Sequence, residues 1–108
     1  MKMRIIWSDF SSKILFEIYQ YHKEKAGYPV AQKIKSTIFK STKRLIKHST
    51  SGQIELTLEN LGEGHRYLVE GNYKIIYKKV KEGILITDIF DTRQDPAKIN
   101  DKNRKSNL

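Results

Sequence analysis

The stretch that decides the fold is residues 65–91, which read HRYLVEGNYKIIYKKVKEGILITDIFD. β-Branched and aromatic residues, which are typical of strands, make up most of three runs within it. The runs cover 65–70, 73–80 and 84–91. They are separated by Gly71-Asn72 and Glu82-Gly83, and such pairs favour the tight turns of hairpins. The pattern therefore predicts a three-stranded antiparallel meander.

Two helices are predicted before the meander. The first begins at Ser8-Asp9, either of which can cap a helix, and ends near Gly27, which tolerates a left-handed backbone. Its apolar residues recur at the spacing of one helix face: Phe10, Ile14, Ile18 and Tyr21. The second helix runs over 29–48, and its apolar stripe is Ala31, Ile34, Ile38 and Leu45. The short link between the helices favours an antiparallel hairpin.

The whole chain then has the fold class α+β, with the order β-α-α-β-β-β. Residues 3–7 are β-rich, and we expect this N-terminal strand to join the sheet because its apolar side chains have no other obvious partner. The helices are expected to cover one face of the sheet, leaving the other partly open as a binding groove. We expect one domain over 1–99, a functional or mobile loop over 49–64 and a frayed polar tail over 100–108.

Composition restricts the possible chemistry. The 108 residues are 38% hydrophobic and 31% charged, as expected of one soluble domain. Without cysteine, disulfides and thiolate zinc sites are excluded, and His22, His48 and His65 form no ligand pattern, so no metal or cofactor is expected. The N-terminal apolar run is too short for a signal peptide, and no segment reaches the ~20 apolar residues of a membrane span. We expect a cytoplasmic protein.

The net charge of +9 is unevenly placed. Residues 1–50 contain eleven Lys and Arg against three acids, whereas residues 51–108 contain ten against nine. A one-sided positive field favours an anionic partner, such as nucleic acid, a membrane surface or an acidic protein. The alternative is a solvated, lysine-rich surface that aids solubility.

Two arginines are candidate anion-binding residues. Arg66 lies near the start of the first meander strand and Arg93 follows the last, and a guanidinium suits bidentate contact with phosphate or carboxylate. The alternatives are a salt bridge from Arg66 to Glu63, Glu70 or Asp91, and a helix-end or tail anchor at Arg93. In a meander these arginines lie toward opposite ends of the sheet unless its strands are staggered.

Other polar and aromatic residues have competing interpretations. His65 is either an acid–base group or a polar surface residue. Tyr73 and Tyr77 share one sheet face and are interpreted as packing residues, and Trp7 as a core residue. Asp88 and Asp91 are three positions apart on a strand and hence on opposite faces, which argues against a paired-carboxylate hydrolase.

The element order and three segments together closely resemble the RelE/ParE superfamily of toxins from type II toxin–antitoxin systems. The segments are Gly62–Val69, Asn72–Lys78 and Ile84–Arg93, and the similarity covers about residues 4–99. The resemblance implies growth arrest, plasmid stabilisation and a cognate acidic antitoxin whose C-terminal segment wraps the toxin in a hetero-oligomer. The antitoxin-binding residues stay unassigned.

Two activities occur on this fold: ParE-like members poison DNA gyrase, and RelE-like members cut messenger RNA on the ribosome. The resemblance makes Arg66, Arg93, Lys74 and Lys78 the target-binding candidates. If the chain is a ribonuclease, its catalytic candidates are Arg66, Arg93 and His65.

The ParE-like activity is favoured. Many RNA-cutting members have a histidine where this chain has Asp91, a second arginine where it has Gln94, and a catalytic His or Tyr near the C-terminus. Here no His or Tyr follows Tyr77. The alternatives are a RelE-like messenger RNA endonuclease and a non-toxic scaffold that only binds its partner.

Overall fold

The computed structural model describes residues 3–100 and 104. The helices are α1 (Asp9–Ala26) and α2 (Tyr28–Lys43), and the strands are β1 (Arg4–Trp7), β2 (Gln53–Ile54), β3 (Arg66–Glu70), β4 (Tyr73–Val80) and β5 (Gly83–Asp91). Three short 3₁₀ helices span Arg44–Ile46, Leu56–Leu61 and Pro96–Asn100. The predicted α+β class and the order of its main elements are confirmed, with β2 and the 3₁₀ helices added. Within the described residues, neither α-helix is long and apolar enough to cross a membrane.

The five strands form one mixed sheet in the order β1-β5-β4-β3-β2. Strands β3, β4 and β5 are the predicted antiparallel meander, and β1 joins it by pairing in parallel with β5. Gly83 lies opposite Arg4 in this pairing, where a Cβ atom would collide with the Arg4 carbonyl oxygen. Gly83 therefore permits the close approach of β1, in addition to ending the preceding turn.

Helix α1 presents a different face to the sheet from the one predicted. Its buried residues are Ser11 and Leu15, whereas Tyr21 is 49% exposed and Ile14 and Ile18 are only partly buried. The reason is a hydrogen bond from the Ser11 hydroxyl to the Ile86 carbonyl at 2.8 Å, which brings a small polar residue against β5. The N-cap is Ser8, whose side chain accepts from the Ser11 amide at 3.0 Å.

The main core lies between the helices and the sheet. Leu15, Ile38 and Leu45 pack there against sheet residues that all point to the helical side: Tyr73, Ile75, Tyr77, Ile84, Ile86 and Ile89. The predicted shared face of the two tyrosines is confirmed, and most of the predicted α2 stripe is buried. Trp7 is only partly buried at the edge of this core.

The expectation of a partly open outer face is wrong for most of the sheet. The 56–61 and 96–100 helices lie across it, and Leu58 and Ile99 pack with Ile76 and Phe90 in a second buried cluster. The loop over 49–64 thus provides part of a lid. We expected a frayed tail over residues 100–108. The structure describes only Asn100 and Arg104 of this tail, so the expectation lies largely outside the described residues.

Candidate functional site

The Arg66 side chain fastens a loop of its own chain. Its Nη1 donates to the Gly52 carbonyl at 2.9 Å and, at the limit of a hydrogen bond, to the Thr50 carbonyl at 3.5 Å. Among the residues that the structure describes, Arg66 forms no ion pair, so the salt bridges considered above are not found. The guanidinium is instead oriented by backbone carbonyls at the start of β3.

Tyr77 holds the same loop from below. Its hydroxyl donates to the Ser49 carbonyl at 3.0 Å and accepts from the Gly52 amide at 3.0 Å. A Cβ atom on Gly52 would collide with that hydroxyl and lie 2.6 Å from the Tyr67 carbonyl oxygen, so only glycine fits. Because burial raises its pKa, the Tyr77 phenol stays protonated at neutral pH.

The two candidate lysines are paired with carboxylates of the lid. Lys74 Nζ lies 2.9 Å from Glu55 Oε1 and Lys78 Nζ lies 2.7 Å from Glu63 Oε1, with the lysine side chains 20% and 16% exposed. Burial alone would raise the pKa of Glu55, but its hydrogen bonds with Lys74 and Thr57 together hold it below its usual value. These pairs secure the 56–61 helix to the sheet.

His65 is a buried residue, and its interpretation as polar surface is wrong. Its side chain is 0% exposed, and neither ring nitrogen has a hydrogen-bond partner among the described residues. Burial first, and then the charge of Lys78, lowers the pKa of His65, which favours the neutral ring at pH 7. His65 is covered by the lid on the outer face of the sheet. The residue pattern of one strand does not predict this burial, because the lid is formed by other segments of the chain.

Arg93 lies at the other end of the sheet. Its Nε and Nη2 donate to the two Asp91 carboxylate oxygens at 3.0 and 2.8 Å, and its side chain is 57% exposed. This hydrogen-bonded pairing lowers the pKa of Asp91. In the strand register, Arg66 lies opposite Tyr77, and Asp91, the partner of Arg93, lies opposite Tyr73. Tyr73 and Tyr77 are four residues apart on β4, which corresponds to roughly 13 Å along the strand. The two arginines therefore lie toward opposite ends of the sheet, whereas the sequence had left open whether they share one patch.

A cleft of about 340 Å³ adjoins Arg93, between α1 and the end of β5. Tyr73 lines it, and the Tyr73 hydroxyl lies 2.8 Å from Nε2 of His22. Sequence reasoning missed this pair because the two residues are 51 positions apart and only the packing of α1 on the sheet joins them. It places an imidazole and a phenol near the Arg93 guanidinium.

A second groove, of about 630 Å³, runs along the helical hairpin. It is lined by aromatic residues that include Trp7, Phe16, Tyr28 and Phe39. Phe16 is 60% and Tyr28 is 56% exposed, and an exposed cluster of this kind is typical of a protein-binding surface. Within residues 3–100 and 104, no three His, Asp or Glu side chains are grouped closely enough to hold a metal ion.

Comparison with known proteins agrees with this architecture. Residues 5–96 match the family model described as ParE toxin of type II toxin-antitoxin system, parDE. Because the match covers most of its length, the chain belongs to the ParE toxin family, within the RelE/ParE superfamily that its motifs resemble. No curated protein matches the chain.

One solved structure, titled "Chromosomal ParDE TA system from P. aeruginosa", has the same fold. It aligns with a TM-score of 0.70 over 83% of this chain and 96% of that chain, at 18% sequence identity. The resemblance therefore extends over nearly the whole of that toxin–antitoxin chain.

Proposed function

We propose that this toxin arrests bacterial growth by inhibiting DNA gyrase. The observation that carries the proposal is the complete burial of the His65 side chain, which directly precedes Arg66 and β3. Cleavage of RNA needs a positioned group that exchanges a proton with the substrate, and a ring without solvent access cannot make that contact. Inhibition by binding alone needs no such group.

Arg66 and Arg93 are the proposed target contacts. Arg66 uses Nη1 for the loop carbonyls, which leaves its remaining guanidinium donors for an anionic group of the target. Arg93 is exposed, and its Asp91 partner orients the planar fork while neutralising part of its charge. Lys74 and Lys78 support the lid through their ion pairs, and we propose only an indirect contribution from them.

A second candidate function is ribosome-dependent cleavage of messenger RNA. It is favoured by the His22–Tyr73 pair, since an imidazole and a phenol near Arg93 have the chemistry that phosphodiester cleavage uses. Against it, Tyr73 is 7% exposed, so its phenol has little access to a substrate, and the acids Asp91 and Glu17 offset the arginines of the cleft.

The antitoxin partner of this family is proposed to bind the aromatic groove of the helical hairpin. The exposed Phe16 and Tyr28 offer apolar area, and basic residues of α2 at or beside the groove, Lys35 and Lys40, would attract an acidic segment. Folding of that segment on the groove would bury both kinds of surface together.

The test is expression of the toxin without its antitoxin, followed by two assays with purified protein. We expect growth arrest, loss of supercoiling by purified gyrase, and intact messages on translating ribosomes. His22→Gln and Tyr73→Phe are the matched variants, because both remove a proton-exchanging group while nearly preserving shape. We expect both to keep full activity against gyrase.

Each other outcome selects a different function. Site-specific cleavage of ribosome-bound messages, lost in His22→Gln, would establish the second candidate. Normal growth with abundant folded toxin, together with tight antitoxin binding, would leave the non-toxic scaffold.

A further inference from the structure

The outer face of the sheet contains a buried carboxylate, that of Asp88, which is separate from the Arg66 and Arg93 contacts described above. Asp88 lies on β5 between the buried residues Thr87 and Ile89 and is 0% exposed. A buried carboxylate without a cation is strongly destabilising, so its partner contributes substantially to the stability of the fold. That partner is Arg104, which contacts both carboxylate oxygens through Nε, at 2.9 Å, and Nη2.

Two aromatic rings complete the surroundings of the Arg104 guanidinium. Its central carbon lies 5.2 Å from the ring centre of Phe10 and 5.1 Å from that of Phe90. Both distances are within the range of a cation–π contact. Phe10 belongs to the first turn of α1 and Phe90 to β5, so one side chain links three parts of the molecule.

We propose that Asp88, Phe10 and Phe90 form a guanidinium-binding socket that the toxin fills with its own Arg104. The socket has a planar, bidentate acceptor at its base and a ring from each of two elements beside it, which fits a guanidinium far better than an ammonium. Arg104 thereby acts as a latch between β5 and the start of α1. The latch also accounts for the position of Phe10, which lies off the buried face of α1.

The charge balance supports this assignment. Burial raises the pKa of Asp88 although the hydrogen bonds to Arg104 oppose it, so the carboxylate is charged only at a cost in stability. Because the pKa of Asp88 is higher in the folded state, the residue contributes to stability below its unfolded pKa, where it is protonated in both states. This contribution is lost as pH rises through the folded pKa. Without Arg104 that loss becomes larger.

The test measures thermal unfolding of the full-length toxin with Arg104→Ala, Arg104→Lys and, as the matched control, Arg93→Ala. Arg93 also binds an aspartate in bidentate fashion, but on the surface. We expect Arg104→Ala to lower the melting temperature by roughly 15 °C at pH 7 and Arg104→Lys to recover only part of it. Arg93→Ala should change it little. Near pH 4 the deficit of Arg104→Ala should shrink, because Asp88 then takes up a proton.

Methylguanidinium at millimolar concentration is the direct probe of the socket. It should raise the melting temperature of Arg104→Ala by several degrees, yet leave the Asp88→Asn/Arg104→Ala double variant unchanged. If Arg104→Ala does not fold alone, the comparison of Asp88→Asn with Asp88→Asn/Arg104→Ala decides, because removing the arginine should cost little once the carboxylate is gone. A deficit in Arg104→Ala equal to that of Arg93→Ala would overturn the proposal, as would rescue of the double variant by methylguanidinium.

Discussion

Replacing Tyr77 with phenylalanine should detach the loop that orients Arg66. The Tyr77 hydroxyl makes two buried hydrogen bonds, to the Ser49 carbonyl and from the Gly52 amide. Each contributes about 0.5–1.5 kcal/mol to stability, so the loss should be about 2 kcal/mol in free energy of unfolding. In a domain of this size that corresponds to a fall in melting temperature of roughly 10 °C.

The assay is urea and thermal unfolding of the purified toxin without antitoxin, because a bound partner would itself add stability. Hydrogen exchange at the Gly52 amide gives a local readout, and we expect it to accelerate more than exchange in the middle of β4. Tyr67→Phe is the matched control, since its exposed hydroxyl bonds only to Gln53 Oε1, at 3.1 Å. Equal stability losses in the two variants would refute the reasoning that the Tyr77 hydroxyl pins the loop.

The loop argument also connects stability with toxicity. Arg66 donates to the carbonyl of Gly52, and the amide of Gly52 donates to the Tyr77 hydroxyl. The guanidinium and the phenol therefore hold the same segment from two sides. If Arg66 meets the target in its observed orientation, Tyr77→Phe should lose toxicity at temperatures where it is still folded. Toxicity equal to that of the native toxin would show that the orientation of Arg66 does not matter.

Three further predictions follow from the site. Ala at Arg66 or Arg93 should reduce toxicity while circular dichroism stays native, and Lys at each position separates a need for charge from a need for the planar fork; full toxicity of both folded Ala variants would remove these arginines from the target contact. Because the pKa of His65 is lowered in the folded state, its contribution to stability is present above the unfolded pKa and is lost as pH falls through the folded pKa. The native toxin should therefore lose more stability than His65→Gln between pH 7.5 and 5, and parallel curves of unfolding free energy against pH would contradict this. Adding the cognate acidic antitoxin should raise the melting temperature of the native toxin more than that of Phe16→Ser, and an unchanged melting curve for the native toxin would exclude the partnership.

The meander and the hairpin of helices were predictable because their signals are local. β4 has its predicted bounds, since Gly71-Asn72 precedes it, a turn predicted at Glu82-Gly83 and found at Lys81-Glu82 follows it, and alternation marks its faces. The lid was not predictable in the same way. The 56–61 helix is too short to show a helical period, so nothing in the sequence indicated that it would cover Ile76 and bury His65.

Contacts between distant side chains were the other limit on prediction. From the sequence, Asp88 was considered only with Asp91, as a carboxylate pair on opposite faces of a strand, and its burial was not predicted. Which cation would pair with it could not be read from spacing, because Arg104 approaches from beyond the last 3₁₀ helix. Whether Arg66 and Arg93 share one patch also could not be decided from the sequence, and their immediate partners depend on loop geometry that the pattern does not encode.

The placement of these surfaces restricts how an antitoxin can neutralise the toxin. The aromatic groove lies on the helical hairpin, whereas Arg66 and Arg93 lie at opposite ends of the sheet behind it. The aromatic groove is lined by Phe16 and Tyr19, and the cleft beside Arg93 by Glu17 and Tyr21, so the two flank the same helix, α1. A segment that covers the groove and also reaches Arg93 must therefore cross that helix, a distance of about 10–12 Å or about four extended residues. A shorter segment would hold the toxin at the groove and leave both arginines accessible, and it could then neutralise only by blocking the approach of a large target such as gyrase. A segment long enough to reach Arg66 or Arg93 would neutralise by direct competition, and the two cases differ in whether Ala at either arginine weakens antitoxin binding.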